Sequence, residues 1–206
     1  SGANLSHSII SPSKISETNF KNTNLSFVDF SNSDFKSTIL DNANFFKANL
    51  SYSDFSGKTL NEIDFSNANL KNSDFSNANL KNTLFFESNV ENADFQSIIT
   101  DKTKFNNVDL SKIKDSSLEN ANLSNTVMSF CNLNGVKLPT TIKEIHFYNS
   151  KITDVDFSNK IVKGSVFAES QLMYSNFENA DFGAYETQIS YLDDGVRDRQ
   201  IIKNKI

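Results

Sequence analysis

Every fifth residue of this chain is large and apolar, a period that few folds accommodate. The series starts at Leu5 and runs through Ile10, Ile15, Phe20 and Leu25 to Leu110, broken only by Thr100. A second run, in a new phase, holds Ile113, Leu118, Leu123, Met128, Leu133 and Leu138, and a third extends from Ile142 to Phe182. The runs contain thirty-seven such slots, and all but four of the 19 Phe lie in them. A helix face repeats about every 3.6 residues and a strand face every two, so neither explains a period of five. One obligatory apolar position in five describes a short extended piece followed by a turn.

The positions around each slot sharpen this reading. Two residues earlier the side chain is mostly small, as at Ala43, Ala48, Ser53, Ala68, Ser73 and Ala78. On an extended segment, positions two apart point the same way. The large and the small side chain therefore both point inward, as a narrow tube requires. Two residues after the slot Asn predominates, and Gly57, Gly135 and Gly164 fall at the same place. These residues tolerate the left-handed backbone region, so each unit carries its own corner. Composition agrees: apolar content is only 37% and mean hydropathy −0.43, yet Phe is abundant and Trp absent. That suits a thin core of Phe and Leu rather than a broad globular one.

Units such as Ala68-Asn69-Leu70-Lys71-Asn72 and Ser73-Asp74-Phe75-Ser76-Asn77 resemble the repeat of the pentapeptide-repeat family, over about residues 3 to 184. The resemblance implies an all-β fold, a right-handed quadrilateral β-helix with four units and about twenty residues per coil. Coils stacked at a strand spacing of about 4.8 Å would give about nine coils and a rod about 43 Å long. Two regions are expected: the repeat β-helix over 1–184, and a C-terminal cap, short helix or connector over 185–206. Within the latter, Asp193-Asp194-Gly195 reads as a turn and Val196 to Ile206 as a short helix or the start of a connector. Residue 1 is Ser and the repeat is in phase already at Ala3-Asn4-Leu5, where a repeat array normally has a cap. An excised piece of a longer protein, or a tagged chain trimmed at its N-terminus, is the expectation.

The pattern breaks in three places. The shift at Ser111 to Asp115 reads as a two-residue deletion or a three-residue bulge, and the shift at Pro139 to Lys143 as a one-residue deletion or a four-residue loop. Lys58 and Lys160 occupy small inward slots, where a buried ammonium is costly. A kinked backbone that lets it reach water is expected there.

Two outward surfaces qualify as candidate partner-binding sites. A twenty-residue coil stacks Asp34, Asp54, Asp74 and Asp94 in one column, where like charges in register should repel and raise each other's pKa. They read as a site for a basic partner, or as the solvated Asp/Asn usual at this position of the unit. The second surface is aromatic. Of the four Phe outside the slots, Phe27, Phe46 and Phe86 fall on one face, with outward Leu84 near Phe86, while Phe130 stands apart. They read as a protein-binding patch, or as cover for a loop.

Chemistry is sparse. Cys131 takes an inward slot and reads as buried and inert. His7 and His146 have no metal-ligand spacing, so no catalytic residue, metal or cofactor is assigned and no enzymatic role is expected. The formal net charge of −5 disfavours direct nucleic-acid binding and adhesion to an anionic membrane.

A protein partner is therefore expected, for a monomer or an end-to-end dimer. The chain is read as a non-catalytic interaction scaffold within a larger bacterial protein. It is similar to the β-helix domain that precedes the HECT-like catalytic part of secreted bacterial ubiquitin ligases. That likeness implies a location in the bacterial cytoplasm, or in a host cell after secretion. The alternative is a DNA mimic, since pentapeptide-repeat proteins shaped like B-form DNA bind DNA gyrase and protect it from quinolones.

Overall fold

The structure, a computed structural model, describes residues 2–10, 15–183, 187–193 and 196–202. The five-residue period closes into a four-sided tube. Phe65, Leu70, Phe75 and Leu80, on four successive walls, are all fully buried. The Phe65 ring stacks on Phe45 and Phe85 of its own wall at 5.5 and 5.4 Å, and meets Phe55 and Phe75 of the opposite wall edge-on at 5.5 Å each. One axial column of rings therefore fills the tube. Each fully buried Phe contributes roughly 1.5–3 kcal/mol of apolar transfer, and it does so only because the coils above and below cover it.

Backbone polar groups pair between coils. The Leu25 amide donates to Asn44 O of the next coil at 2.8 Å, and the Asn24 amide donates back to Ala3 O at 2.9 Å. Each corner closes as a β-turn, with the Ser73 amide on Leu70 O at 3.1 Å and Asn72 at φ 57°. The outward Asp or Asn caps that turn, as where the Ser76 amide donates to Asp74 Oδ1 at 2.8 Å. Inward Ser and Thr satisfy their hydroxyls on nearby carbonyls, as Thr83 Oγ1 does on Leu60 O at 2.6 Å. The three signals in the sequence thus have separate causes: a filled interior, a narrow wall and a left-handed corner.

Numbered by their slots, the first wall holds Leu25, Phe45, Phe65, Phe85 and Phe105. The second holds Phe30, Leu50 and Leu70, the third Phe35, Phe55, Phe75 and Phe95, and the fourth Leu40, Leu60 and Leu80. Bridges join residues 20 apart up to Leu84↔Lys104, then 23 apart at Ile99↔Asn122, Lys104↔Val127 and Asp109↔Asn132. The first phase shift is therefore a three-residue insertion. It is carried by 3-10 turns at Leu110–Lys112 and Lys114–Ser116, with Asp115 at φ 54°. Ile113, which the period places among the large slots, instead takes the small inward position above Ala93, whose carbonyl accepts the Lys114 amide at 3.0 Å. The second shift is a one-residue deletion, with bridges 19 apart at Asn132↔Lys151. Two short parallel strands on the first wall, β1 (Val127–Ser129) and β2 (His146–Tyr148), pair across that junction.

Lys58 and Lys160, both half-buried, turn their ammonium groups onto backbone carbonyls. Lys58 Nζ donates to Lys36 O and Thr38 O, and Lys160 Nζ to Leu138 O at 2.9 Å, all carbonyls of the preceding coil. At Lys58 the ladder yields: Thr38 O takes the ammonium, where Thr18 O one coil back takes the Ile39 amide at 3.0 Å. At Lys160 it stays regular, with the Ile161 amide on Thr140 O at 2.9 Å. A carbonyl is a better ligand for a half-buried ammonium than a kink is a route to solvent.

After the tube, the segment expected to hold a short helix forms two antiparallel strands, β3 (Thr187–Asp193) and β4 (Val196–Ile202), with Asp193 paired to Val196. Residues 184–186, 194–195 and 203–206, on which part of the expected cap falls, lie outside the described residues.

Candidate functional site

The corner that follows the first wall carries the exposed aromatics. Phe27, Phe86, Phe130 and Tyr148 are each 42–53% exposed, and Phe46 is half-buried. At its N-terminal end His7 stacks on Phe27 at 4.4 Å, Phe27 meets Phe46 edge-on at 5.8 Å, and Lys47 Nζ stands 5.6 and 5.2 Å from those two rings. At the other end Phe130 meets Tyr148 edge-on at 5.6 Å. Phe86 lies between, with outward Leu84 beside it on the first wall, followed by Val127 and the exposed Val166.

Phe130 stands apart in the sequence arithmetic because that arithmetic assumes twenty residues per coil. The insertion lengthens one coil to 23 and brings Phe130 back to the corner. The Asn107 amide donates to Ser129 O at 2.9 Å and the Phe130 amide to Tyr148 O at 2.8 Å. Tyr148 is a residue the sequence reading missed. Position within the unit identifies both: Phe130 follows Met128 by two residues as Phe27 follows Leu25, and Tyr148 follows Phe147 by one as Phe86 follows Phe85.

Two of these rings sit where the backbone least favours them. Phe27 and Phe130 occupy the left-handed corner position at φ 60° and 58°, which is most often Asn elsewhere in the chain. For a bulky residue this conformation costs about 1 kcal/mol. A partly exposed ring held at such a cost makes little contribution to folding, and strain of this kind gathers at functional positions.

The charges divide by wall. The described residues contain seven ion pairs, among them Lys21–Asp41, Lys36–Asp54, Lys71–Glu91 and Lys81–Asp101. The others are Lys112–Asp109, Lys114–Asp94 and Lys163–Asp181. All seven lie on the second, third and fourth walls and their corners. Lys47, Asp64, Glu87 and Lys104, on the first wall and its aromatic corner, enter none of them.

The aspartate column lies on the third wall, opposite the first. Asp34, Asp54, Asp74 and Asp94 are bridged in register as the period requires. They do not form an open acidic stripe. Lys36 Nζ lies 2.5 Å from Asp54 Oδ2 and Lys114 Nζ 2.7 Å from Asp94 Oδ2. The mutual upward shift expected from stacking is overturned at Asp54. Partial burial works to raise its pKa, but hydrogen bonds from Lys36 and Ser56 hold the carboxyl below the usual carboxylate range.

Cys131 is buried, its thiol directed at Phe105 O, and burial pushes its pKa up to about 12. Among the described residues no group of three His, Cys, Asp or Glu could hold a metal ion, and no helix is long and apolar enough to cross a membrane.

Two families match the chain: the pentapeptide repeat region over residues 28–105, and pentapeptide repeats (8 copies) over residues 1–40 and 104–141. No curated protein matches it in sequence. Among solved structures it is similar to HetL, a pentapeptide repeat protein involved in heterocyst differentiation regulation in the cyanobacterium Nostoc. That match has 19% identity and a TM-score of 0.41, and covers 88% of this chain and 81% of HetL. A pentapeptide repeat protein of the Arabidopsis thaliana thylakoid lumen matches at 25% identity and a TM-score of 0.39, over 48% of this chain and 65% of its own. Full-length QnrB1, a plasmid-mediated fluoroquinolone resistance protein, matches at 13% identity and a TM-score of 0.40, over 89% of this chain and 91% of its own. Superpositions this loose carry nothing beyond the likeness itself.

Proposed function

Since the chain belongs to the pentapeptide-repeat family, we propose that it is a non-catalytic protein-interaction scaffold whose binding surface is the aromatic corner from Phe27 to Tyr148. The observation that carries this reading is the exposure of Phe27 and Phe130 at left-handed positions of one corner. Folding alone favours Asn or Gly there. Exposed aromatics aligned on a rigid element supply contact area at low entropic cost, the composition typical of interface hot spots.

The test is a selection. A random-peptide library is panned on the whole protein, and the binders are measured against a Phe27→Ala/Phe86→Ala/Phe130→Ala variant. Loss of binding with an unchanged circular dichroism spectrum supports the corner. Equal binding to the variant removes it.

The DNA-mimic alternative shares the rod but needs a continuous acidic surface. Lys36 and Lys114 neutralise half of the four-carboxylate column, which weighs against it. Absence of inhibition at micromolar protein in a gyrase supercoiling assay eliminates it.

A further inference from the structure

The aromatic corner is corrugated. Its rings stand on three stations: Phe27 with Phe46, then Phe86, then Phe130 with Tyr148. Between the stations the corner holds small or polar side chains. Buried Ser66 precedes the Phe86 coil, and Asn106 follows it. The coil register places Ser66 one coil before Phe86, through the Asn67 amide on Phe86 O at 2.7 Å, and Asn106 one coil after it, through the Glu87 amide on Asn106 O at 3.0 Å. The two recesses therefore lie two coils apart, about 9.6 Å at a strand spacing of about 4.8 Å.

Four successive coils of this surface each carry one charge. Lys47, Asp64, Glu87 and Lys104 fall on four successive coils, so the surface reads plus, minus, minus, plus along the rod. None of the four enters an ion pair among the described residues, whereas all seven pairs found among those residues occupy the other three walls and their corners. Asp64 Oδ1 caps the Ser66 amide at 2.8 Å, Glu87 Oε1 accepts from Asn107 Nδ2 at 3.1 Å and Lys47 lies over two rings, but all of these partners are neutral, so each of the four charges remains uncompensated for a partner.

We propose, building on the reading of the corner as a protein-binding surface, that its partner is an amphipathic α-helix lying parallel to the rod. The helix carries acidic, basic, basic and acidic side chains on successive turns beside its apolar stripe. The charge order follows from complementarity with Lys47, Asp64, Glu87 and Lys104. The helical form follows from spacing. A coil rise of about 4.8 Å equals about 3.2 residues of α-helix, so side chains at i, i+3 and i+7 keep step with successive coils. Seven helical residues span about 10.5 Å against about 9.6 Å between the recesses, so two apolar side chains seat beside Ser66 and Asn106 with Phe86 between them. An extended strand returns to the same face every ~6.7 Å, which matches neither one coil nor two. A second copy of this chain is disfavoured by the charges themselves. Plus-minus-minus-plus reads the same in both directions, so two such surfaces in register set like charge against like in either orientation.

The experiment uses the whole protein and three fluorescein-labelled eighteen-residue peptides of equal apolar content, read by fluorescence polarisation. One has the matched charge order on a helical face, one has every charge inverted in sign (basic, acidic, acidic, basic), and one has the matched composition with a central Pro that breaks the helix. The matched helix is expected to bind at least about tenfold more tightly than the sign-inverted one, from four exposed charge pairs of modest individual worth. A Glu87→Lys/Lys104→Glu protein narrows that gap, and the Phe86→Ala protein weakens both. Equal binding of the matched and sign-inverted peptides, or tightest binding of the Pro peptide, overturns the helix and leaves the corner as a surface of another kind. Binding unaffected by Phe86→Ala and by the triple alanine variant overturns both the helix and the corner. Association of the protein with itself, lost in the Phe86→Ala variant, assigns the surface to a second copy and also overturns the proposal.

Discussion

Phe85 and Phe86 are adjacent in the chain, identical in chemistry and opposite in role, so truncating each in turn separates the core from the corner. Phe85 is fully buried, with its ring stacked on Phe65 and Phe105 at 5.4 and 4.7 Å and edge-on to Phe75 and Phe95 at 5.8 Å each. Phe85→Ala opens a cavity in the axial column that rigid neighbouring coils cannot close, for a loss of about 3–5 kcal/mol. Phe86 is 45% exposed and stacks on no other ring among the described residues, so Phe86→Ala forfeits about half of a full Phe transfer, about 1 kcal/mol. For a chain of this size each kcal/mol moves the melting temperature by roughly 2–4 °C. Thermal denaturation followed by circular dichroism should then give a drop of about 6–20 °C for Phe85→Ala and about 2–4 °C for Phe86→Ala. Each repeat is stabilised by its neighbours, so the Phe85→Ala transition should also broaden as the two halves of the rod uncouple. Equal losses, or a larger loss at Phe86, would refute the claim that the five-residue period marks the interior.

Three further outcomes follow from the chemistry of single sites. Lys58 has a lowered pKa, chiefly from burial. The unfolded chain therefore binds more protons in the window below the unperturbed 10.5, and stability should rise with pH there. Melting temperatures of the wild type should gain on those of Lys58→Met as pH climbs from neutral towards that value, and a constant difference would contradict it. Asp54, with its pKa lowered below 3.8, stabilises the fold above that pH and loses its contribution as pH falls through the folded value. Lys36→Ala should accordingly move acid unfolding to higher pH, whereas an unmoved transition would show the pair to be inert. Cys131, buried with its pKa near 12, should resist a chromogenic disulfide reagent at neutral pH and react fully in denaturant, and fast reaction of the native protein would place it outside the tube.

Most of the tube is legible in the sequence because each unit states its own geometry. A large slot, a small slot and a left-handed corner recur often enough for one coil to predict the next. Phase shifts are harder to read, because apolar spacing cannot tell a deletion from an insertion. The Ser111 to Asp115 break resolves as three added residues only once the ladder joins Lys104 to Val127. That uncertainty hid Phe130 and Tyr148 from the aromatic face. Hydrogen-bond partners are also invisible in a linear pattern. The carbonyls that hold Lys58 and Lys160 come from a preceding coil, as does the carboxylate that holds Lys114. The pairing of β3 with β4 is hard to read in the sequence for a different reason. Val196 to Ile202 has no regular alternation, and only Asp194-Gly195 hints at a turn between strands.

The most direct test of the aromatic corner is hydroxyl-radical footprinting of the protein with and without a saturating selected peptide, read residue by residue. Phe27, Phe86, Phe130 and Tyr148 should all lose reactivity on binding, while Tyr52 and Tyr174, which are 60% and 81% exposed on the following corner, should keep theirs. Protection of Tyr52 and Tyr174 with the four corner rings left reactive would show that the partner reads another side of the rod.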